Sequence, residues 1–452
     1  MKQTYNYWEK TREFFIVLLP IFVTQIAIVS TGFCDTVMSG HVSEQDLAGV
    51  AVGVNIFMPF FGSIMGVISG LTPTIAQLYG AGEKNKIAFV VTQGMYWAFF
   101  LAVGMILLGF LVIPQFLYYL QLEPKVTRIA SYYLLAMSFG LCPVFCASVL
   151  RNFIDALGYT RLTMMITIFI VPFNILMNYL FIFGAYGFPA LGGIGAGVGT
   201  AITFYFMLLL NVLAIFFIRP FSRYKIFTCF SRPVFAEWKK QLFIGIPIGS
   251  AMFCEQSIFG AVGVFMTVYG TGVIAAHQAA LNFTTMAYMI PLSISMTLTI
   301  LVGFEVGAKR FADARKYSRL GIILSLLFTT SLALILFHLR ADIAALYTND
   351  DFVKKLLQVF LAYAICLQVS DGVNAPLQGT LRGYKDVKIT FILAVVSYWI
   401  IGLPTGYVLA NFFSYGPYGY WIGLISGIAA GAVFLGLRLL RVQKRVASFD
   451  RK

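Results

Sequence analysis

Three carboxylates, Asp35, Glu255 and Asp371, sit inside runs of apolar residues. Asp35 lies near the far end of FFIVLLPIFVTQIAIVSTGFCDTVM, residues 14–38. Glu255 is central in GIPIGSAMFCEQSIFGAVGVF, and Asp371 is central in LAYAICLQVSDGVNAPLQGTL. A carboxylate inside a membrane helix costs roughly 2.5–3.5 kcal/mol on insertion scales. A chain carries that cost where the acid faces a water-filled path, a cation or a proton. No Lys or Arg is expected at these depths to neutralise them, so the chemistry they imply is cation or proton binding.

Other polar groups extend the pattern. Asn174 and Asn178 are four apart in FNILMNYL and share one helix face. Thr200 lies in the Gly-rich stretch GGIGAGVGTAI, which reads as close helix packing and not as a phosphate cradle. Amide and hydroxyl oxygens beside a carboxylate suit a hard cation such as Na+, and the same groups can hold a protonated carboxyl. Interhelical hydrogen bonding is the alternative role for the two asparagines.

The elements that position these residues are membrane helices. The chain has 452 residues, 60% hydrophobic and 11% charged, with mean hydropathy +0.85. Such a composition excludes a soluble domain. Apolar runs long enough to span a bilayer recur about twelve times along it. The first is too long for a signal peptide. The net charge of +14 reflects topology and not nucleic-acid binding. With the N-terminus inside, 27 of the 32 Lys and Arg residues fall in inner segments, among them Arg382 in an inner loop. Both termini are therefore expected in the cytoplasm of a multi-pass cell-membrane protein. The six cysteines read as packing residues, as does His277. No ATP-binding loop or catalytic constellation occurs in the sequence, so neither an enzyme nor a cofactor is expected.

A duplication underlies the spans. At an offset of 227, Pro20 pairs with Pro247, Asn55 with Asn282, and Gly80-Ala81 with Gly307-Ala308. The chain is expected to be an all-α membrane protein of twelve helices. They form two six-helix repeats related by a pseudo-two-fold along the membrane normal. The lobes would be 1–220 and 241–452, joined by a cytoplasmic linker at 221–240. Phe57, Met58, Phe61, Phe283, Met286 and Met289 are candidate lining for a promiscuous cavity.

The stretches GFCDTVMSGHVS (Gly32–Ser43), AAHQAALNF (Ala275–Phe283), LRGYKD (Leu381–Asp386) and GLPTGYVLA (Gly402–Ala410) together resemble the multidrug and toxic compound extrusion (MATE) family, in its NorM-type branch. The resemblance covers essentially the whole chain. It implies two six-helix lobes and export of cationic or amphipathic compounds in exchange for Na+ or H+, from a monomer in the lipid bilayer. It also implies a first-lobe cation site at Asp35, Asn174, Asn178 and Thr200, and a second-lobe site at Glu255 and Asp371. One departure is Leu367, where relatives can carry an aromatic residue one turn before the second-lobe aspartate. A flippase for lipid-linked precursors, which would want cationic groups in its cavity, is the competing reading.

Overall fold

The computed structural model describes residues 3–227, 231–348 and 350–449; Cys229 lies outside them. Every regular element among the described residues is helical. In order they are α1 (Tyr7–Gly40), α2 (Glu44–Ser69), α3 (Leu71–Gly80), α4 (Lys84–Tyr119) and α5 (Pro124–Phe139). Then come α6 (Leu141–Ala156), α7 (Thr160–Phe183), α8 (Gly193–Phe217), α9 (Phe235–Met266) and α10 (Thr271–Gly307). The last are α11 (Phe311–Tyr347), α12 (Asp351–Gly383), α13 (Val387–Val395), α14 (Leu403–Asn411) and α15 (Pro417–Phe449). A π-helical stretch, Val396–Gly402, joins α13 to α14.

Local sequence sets several ends. Ser43 caps α2 by accepting from Asp46 N at 3.0 Å, with Glu44 and Asp46 in its first turn. Asp350 caps α12, accepting from Phe352 N at 2.8 Å and Val353 N at 3.2 Å. α7 stops at Gly184, whose φ of +72° suits glycine.

Among the described residues, eleven helical segments are long and apolar enough to cross a membrane. The twelfth expected span is the pair α5 and α6, bent by 47°. Gly140 separates the two helices, and Pro143, in the first turn of α6, cannot donate back to Phe139. Large apolar side chains point outward, as on α4, where Leu107, Leu108, Phe110 and Leu111 are all more than half exposed. Water would not tolerate such a surface over so many helices; a bilayer does. The chain is a multi-pass membrane protein.

The backbone forms two compact units, residues 19–249 and residues 1–18 with 250–452. The first packs around Phe57, Ile68, Trp97, Phe145 and Phe153. The second packs around Phe360, Leu367, Tyr398, Trp421 and Leu424. Both breaks between the compact units fall inside helices: in α1 beside Pro20, and in α9 shortly after Pro247.

Hydrogen bonds explain where the first turns belong. The start of α1 is held in the second unit, where buried Lys10 donates to Thr4 O at 2.8 Å and pairs with Asp313 at 3.0 Å. The start of α9 is held in the first unit. There Trp97 Nε1 donates to Gln241 at 2.7 Å, and Gln93 Oε1 accepts from Trp238 Nε1 at 2.8 Å.

Candidate functional site

The first unit gathers its polar residues from three helices. α1 carries Asp35, α7 carries Asn174 and Asn178, and α8 carries Thr200. Asp35 is half-buried, whereas Asn174, Asn178 and Thr200 are buried. Asn178 Nδ2 donates a short hydrogen bond to Asp35 Oδ1, and Thr200 Oγ1 donates to Asp35 Oδ2 at 3.2 Å. Asn178 Nδ2 also donates to Asn174 Oδ1 at 3.2 Å. Asn174 Nδ2 donates to Thr200 Oγ1 and Thr203 Oγ1, both at 3.4 Å. All four residues singled out in the sequence thus meet in one network. The asparagines do bond between helices, and Asn178 bonds to the carboxylate as well.

The Gly-rich opening of α8 is what brings α7 so near. A Cβ at Gly195 would stand 2.3 Å from the Phe181 carbonyl oxygen, and one at Gly199 would stand 2.5 Å from Asn178 Oδ1. That oxygen is buried and has no hydrogen-bond partner among the described residues. Gly199→Ala should therefore push Asn178 from Asp35 or part the two helices, at about 1–3 kcal/mol for overpacking. We expect a lower thermal midpoint in detergent and severalfold slower transport. Gly104→Ala and Gly260→Ala are the controls, because nothing lies within 4 Å of either added Cβ. Equal behaviour of all three variants would remove Gly199 from the site.

Sequence reasoning missed two neighbours here. Thr203 follows Thr200 by three positions on α8, which was the available signal. Tyr133 of α5, buried, lies within electrostatic reach of Asp35, and no spacing rule connects it to α1.

The second unit builds on one face of α12. Gln368, Asp371, Asn374, Gln378 and Arg382 recur at helical spacing and are all buried. Glu255 of α9, partly buried, accepts from Tyr288 Oη of α10 at 3.1 Å. Asn374 Nδ2 donates to Tyr398 Oη at 2.7 Å. Asp371 lies within electrostatic reach of Glu255.

Arg382, expected in an inner loop, is instead the second-last residue of α12 and is packed inside the unit. It is 8% exposed, its Nη2 donates to Gln378 Oε1 at 3.2 Å, and its charge reaches Glu255. The polar run in α12 continues almost to the helix end, so a residue placed in a loop by charge counting is inside the packed unit. The missed signal was the repeat of polar residues every three or four positions from Gln368 onward.

The remaining candidates divide. Phe57 is buried and stacks on Phe61 at 4.9 Å, and Met289 is buried, so these three are packing residues. Phe283 packs against the second core, while Met58 and Met286 are exposed. Leu367 is fully buried in that core. His277 is buried edge-on to Trp421 at 5.5 Å, which fits a packing role, though neither ring nitrogen has a hydrogen-bond partner among the described residues.

The family model described as MatE matches residues 20–180 and again residues 247–408. A relative from Halalkalibacterium halodurans, called a probable multidrug resistance protein NorM, is 48% identical over 445 residues, covering 98% of this chain and 97% of its own. The crystal structure of the eukaryotic MATE transporter AtDTX14 superposes with a TM-score of 0.88 at 20% identity, covering 97% of this chain and 99% of that one. A MOP superfamily transporter from Pyrococcus furiosus superposes at 0.86 with 15% identity, covering 98% and 97%. It is described as having a binding pocket of reverse polarity that suggests a different function. These superpositions speak to the fold, and the site's own chemistry must speak to function.

Proposed function

The chain belongs to the MatE family, and from that we propose that it is a secondary antiporter. It would export cationic or amphipathic drugs and toxic compounds in exchange for inward Na+ or H+. The observation that carries this reading is Asp35, a carboxylate in an apolar helix, ringed by Asn178, Asn174 and Thr200. A group so placed binds a small cation or a proton more readily than it serves packing. Turning the Asn178 amide would offer its unpartnered oxygen, beside the carboxylate, to a hard cation. Glu255 and Asp371 are the second coupling position.

Exchange requires that drug and cation favour different members of an inward/outward equilibrium, each by its differential affinity. Two six-helix repeats about an axis along the membrane normal would supply the moving parts, as lobes 1–220 and 241–452 with linker 221–240. The same family model matching twice, at starts 20 and 247, supports that reading. So do prolines 20 and 247, paired by the repeat and close to the points where the chain leaves one unit for the other.

Several polar contacts support the alternation of sides that charge counting gives, because they join segments that it puts on one side; the basic bias is what puts the termini in the cytoplasm. Lys10 pairs with Asp313, and Arg315 Nη2 donates to Gln443 O at 3.2 Å, both inner; Gln45 donates to Glu123 at 2.9 Å, both outer. Single cysteines at 316 and 44 on a cysteine-free background test this. The residue at 44 should be labelled from outside intact cells and that at 316 should not; the reverse pattern would overturn the orientation.

The flippase reading loses ground, since Glu255 and Asp371 outnumber Arg382 and no base reaches Asp35 through a described hydrogen bond or ion pair. The whole proposal is tested in proteoliposomes holding this chain alone as a monomer. An imposed Na+ or H+ gradient should drive extrusion of ethidium against its own gradient. Ethidium movement indifferent to both gradients would refute antiport.

A further inference from the structure

Gln368 stands on the polar face of α12, one turn before Asp371, and is 1% exposed. Both polar atoms of its amide, Oε1 and Nε2, are buried with no hydrogen-bond partner among the described residues. An unsatisfied buried amide is costly, and in folded proteins such groups are paired with protein or with ordered water. Gln368 also lines a small cavity between α10, α11 and α12. About 10 Å3 of this cavity is open to the centre of a water molecule, which is room for one.

The rest of the lining decides what the cavity takes. Phe283, Leu336, Leu361 and Ile365 are apolar, and no charged residue is among the described residues that line it. A cation there would lack both a balancing charge and enough oxygen ligands. A wholly apolar cavity would stay dry, but this one holds two polar groups. Besides Gln368 there is Thr284, whose hydroxyl donates to Ala280 O at 2.8 Å and keeps its lone pairs for a donor in the cavity. A water molecule can donate to Gln368 Oε1 and Thr284 Oγ1 and accept from Gln368 Nε2. Three such bonds are typical of buried water.

The level of the cavity in the unit gives that water a role. α10 and α12 run side by side in the same direction. His277 meets Phe360 with ring centroids 6.3 Å apart, and further along Thr299 Oγ1 donates to Gly379 O at 3.0 Å. Between these contacts Tyr288 falls at the level of Gln368 and Asp371, and Tyr288 Oη donates to Glu255 at 3.1 Å. The cavity therefore lies beside the second pair of acids, displaced toward the Asp351 end of α12.

We propose that this cavity is a hydration site: Gln368 and Thr284 hold one water molecule in it, and that water hydrates the approach to Asp371 from the Asp351 end of α12. A proton or cation crossing packed apolar helices needs such a polar station. The role in the approach rests on reading Glu255 and Asp371 as a coupling position; the hydration itself does not.

The test is hydroxyl-radical footprinting of the purified full-length protein in detergent. An X-ray pulse makes radicals from water, so a buried side chain is oxidised where a bound water lies beside it. Leu361 lines the cavity and Leu367 does not, yet both are buried, at 3% and 0% exposed. Leu361 should be oxidised severalfold faster than Leu367, and Gln368→Leu or Thr284→Val should remove the difference. Gln368→Leu should fold, because exchanging an unsatisfied amide for an apolar group of similar size is close to neutral. Should it not, Thr284→Val, which keeps the side-chain shape, takes its place throughout. Equal oxidation of the two leucines in the wild type, or a faster Leu361 that survives the substitutions, would overturn the hydration site. Cation-driven efflux of the same proteins tests the approach to Asp371. Gln368→Leu should slow it severalfold in the wild-type background and leave it unchanged where Glu255→Gln and Asp371→Asn have already removed the coupling position. Equal slowing in both backgrounds, or none in either, would overturn the approach. A wild-type protein with the footprint but without cation-driven efflux would overturn the antiport reading, and the approach with it, and leave the hydration site standing.

Discussion

Asp35→Asn should reduce cation-driven efflux to the background of empty vesicles while the protein still inserts and folds. The geometry explains both halves of the result. An asparagine oxygen can accept from Asn178 Nδ2 as Asp35 Oδ1 does, and its amide can donate to Thr200 Oγ1 once that hydroxyl turns. The network is kept and only the charge is lost. Insertion should not suffer, because the acid is itself a cost of roughly 2.5–3.5 kcal/mol. A thermal midpoint at or above that of the wild type, together with absent efflux, is the expected pair of observations. Wild-type efflux in the variant would show that coupling does not pass through Asp35.

The second large effect belongs to Glu255 and Asp371. Replacing them together by Gln and Asn should raise the cation concentration for half-maximal efflux more than tenfold, about 1.4 kcal/mol, without abolishing export. The weaker role follows from the surroundings. Arg382 already offsets one of the two charges, and Leu367, buried in the core, offers no ring to a cation. The double variant has a cost that Asp35→Asn does not. It leaves Arg382 buried without a balancing charge, so the midpoint in detergent should fall, and adding Arg382→Gln should recover it. If the double variant matches wild type at every Na+ level and pH, these acids hold the unit together and take no part in coupling.

How much of this was legible in the sequence depends on whether the signal lay within one helix or between several. Asp35, Glu255 and Asp371 stood out because a charge in an apolar run is visible without any partner. Asn174 and Asn178 were legible from their spacing of four, and the structure puts both on the face that meets α8. The same rule applied to α12 would have found Asn374, Gln378 and Arg382. Charge counting assigned Arg382 to a loop, and that assignment hid it. Tyr288 and Tyr398 could not be found, since their link to Glu255 and Asn374 crosses from α10 and from the π-helical stretch. The unit boundaries were hidden for a similar reason. The first turns of α1 and α9 are claimed by Asp313, Gln93 and Trp97, far away in sequence, whereas hydropathy marks only where a span starts.

The proposed exchange moves substrate and cation in opposite directions, with Asp35 as the indispensable coupling carboxylate. The most direct measurement runs the exchange backward. Proteoliposomes holding the full chain receive an imposed gradient of a lipophilic cation such as tetraphenylphosphonium, with no Na+ or pH gradient, and internal pH and internal Na+ are followed by trapped dyes. Tetraphenylphosphonium moving down its gradient should drive H+ or Na+ across the membrane the opposite way, and Asp35→Asn should eliminate that counter-movement. Tetraphenylphosphonium flux through the wild-type protein with no opposing cation movement, or with movement in the same direction, would contradict the account.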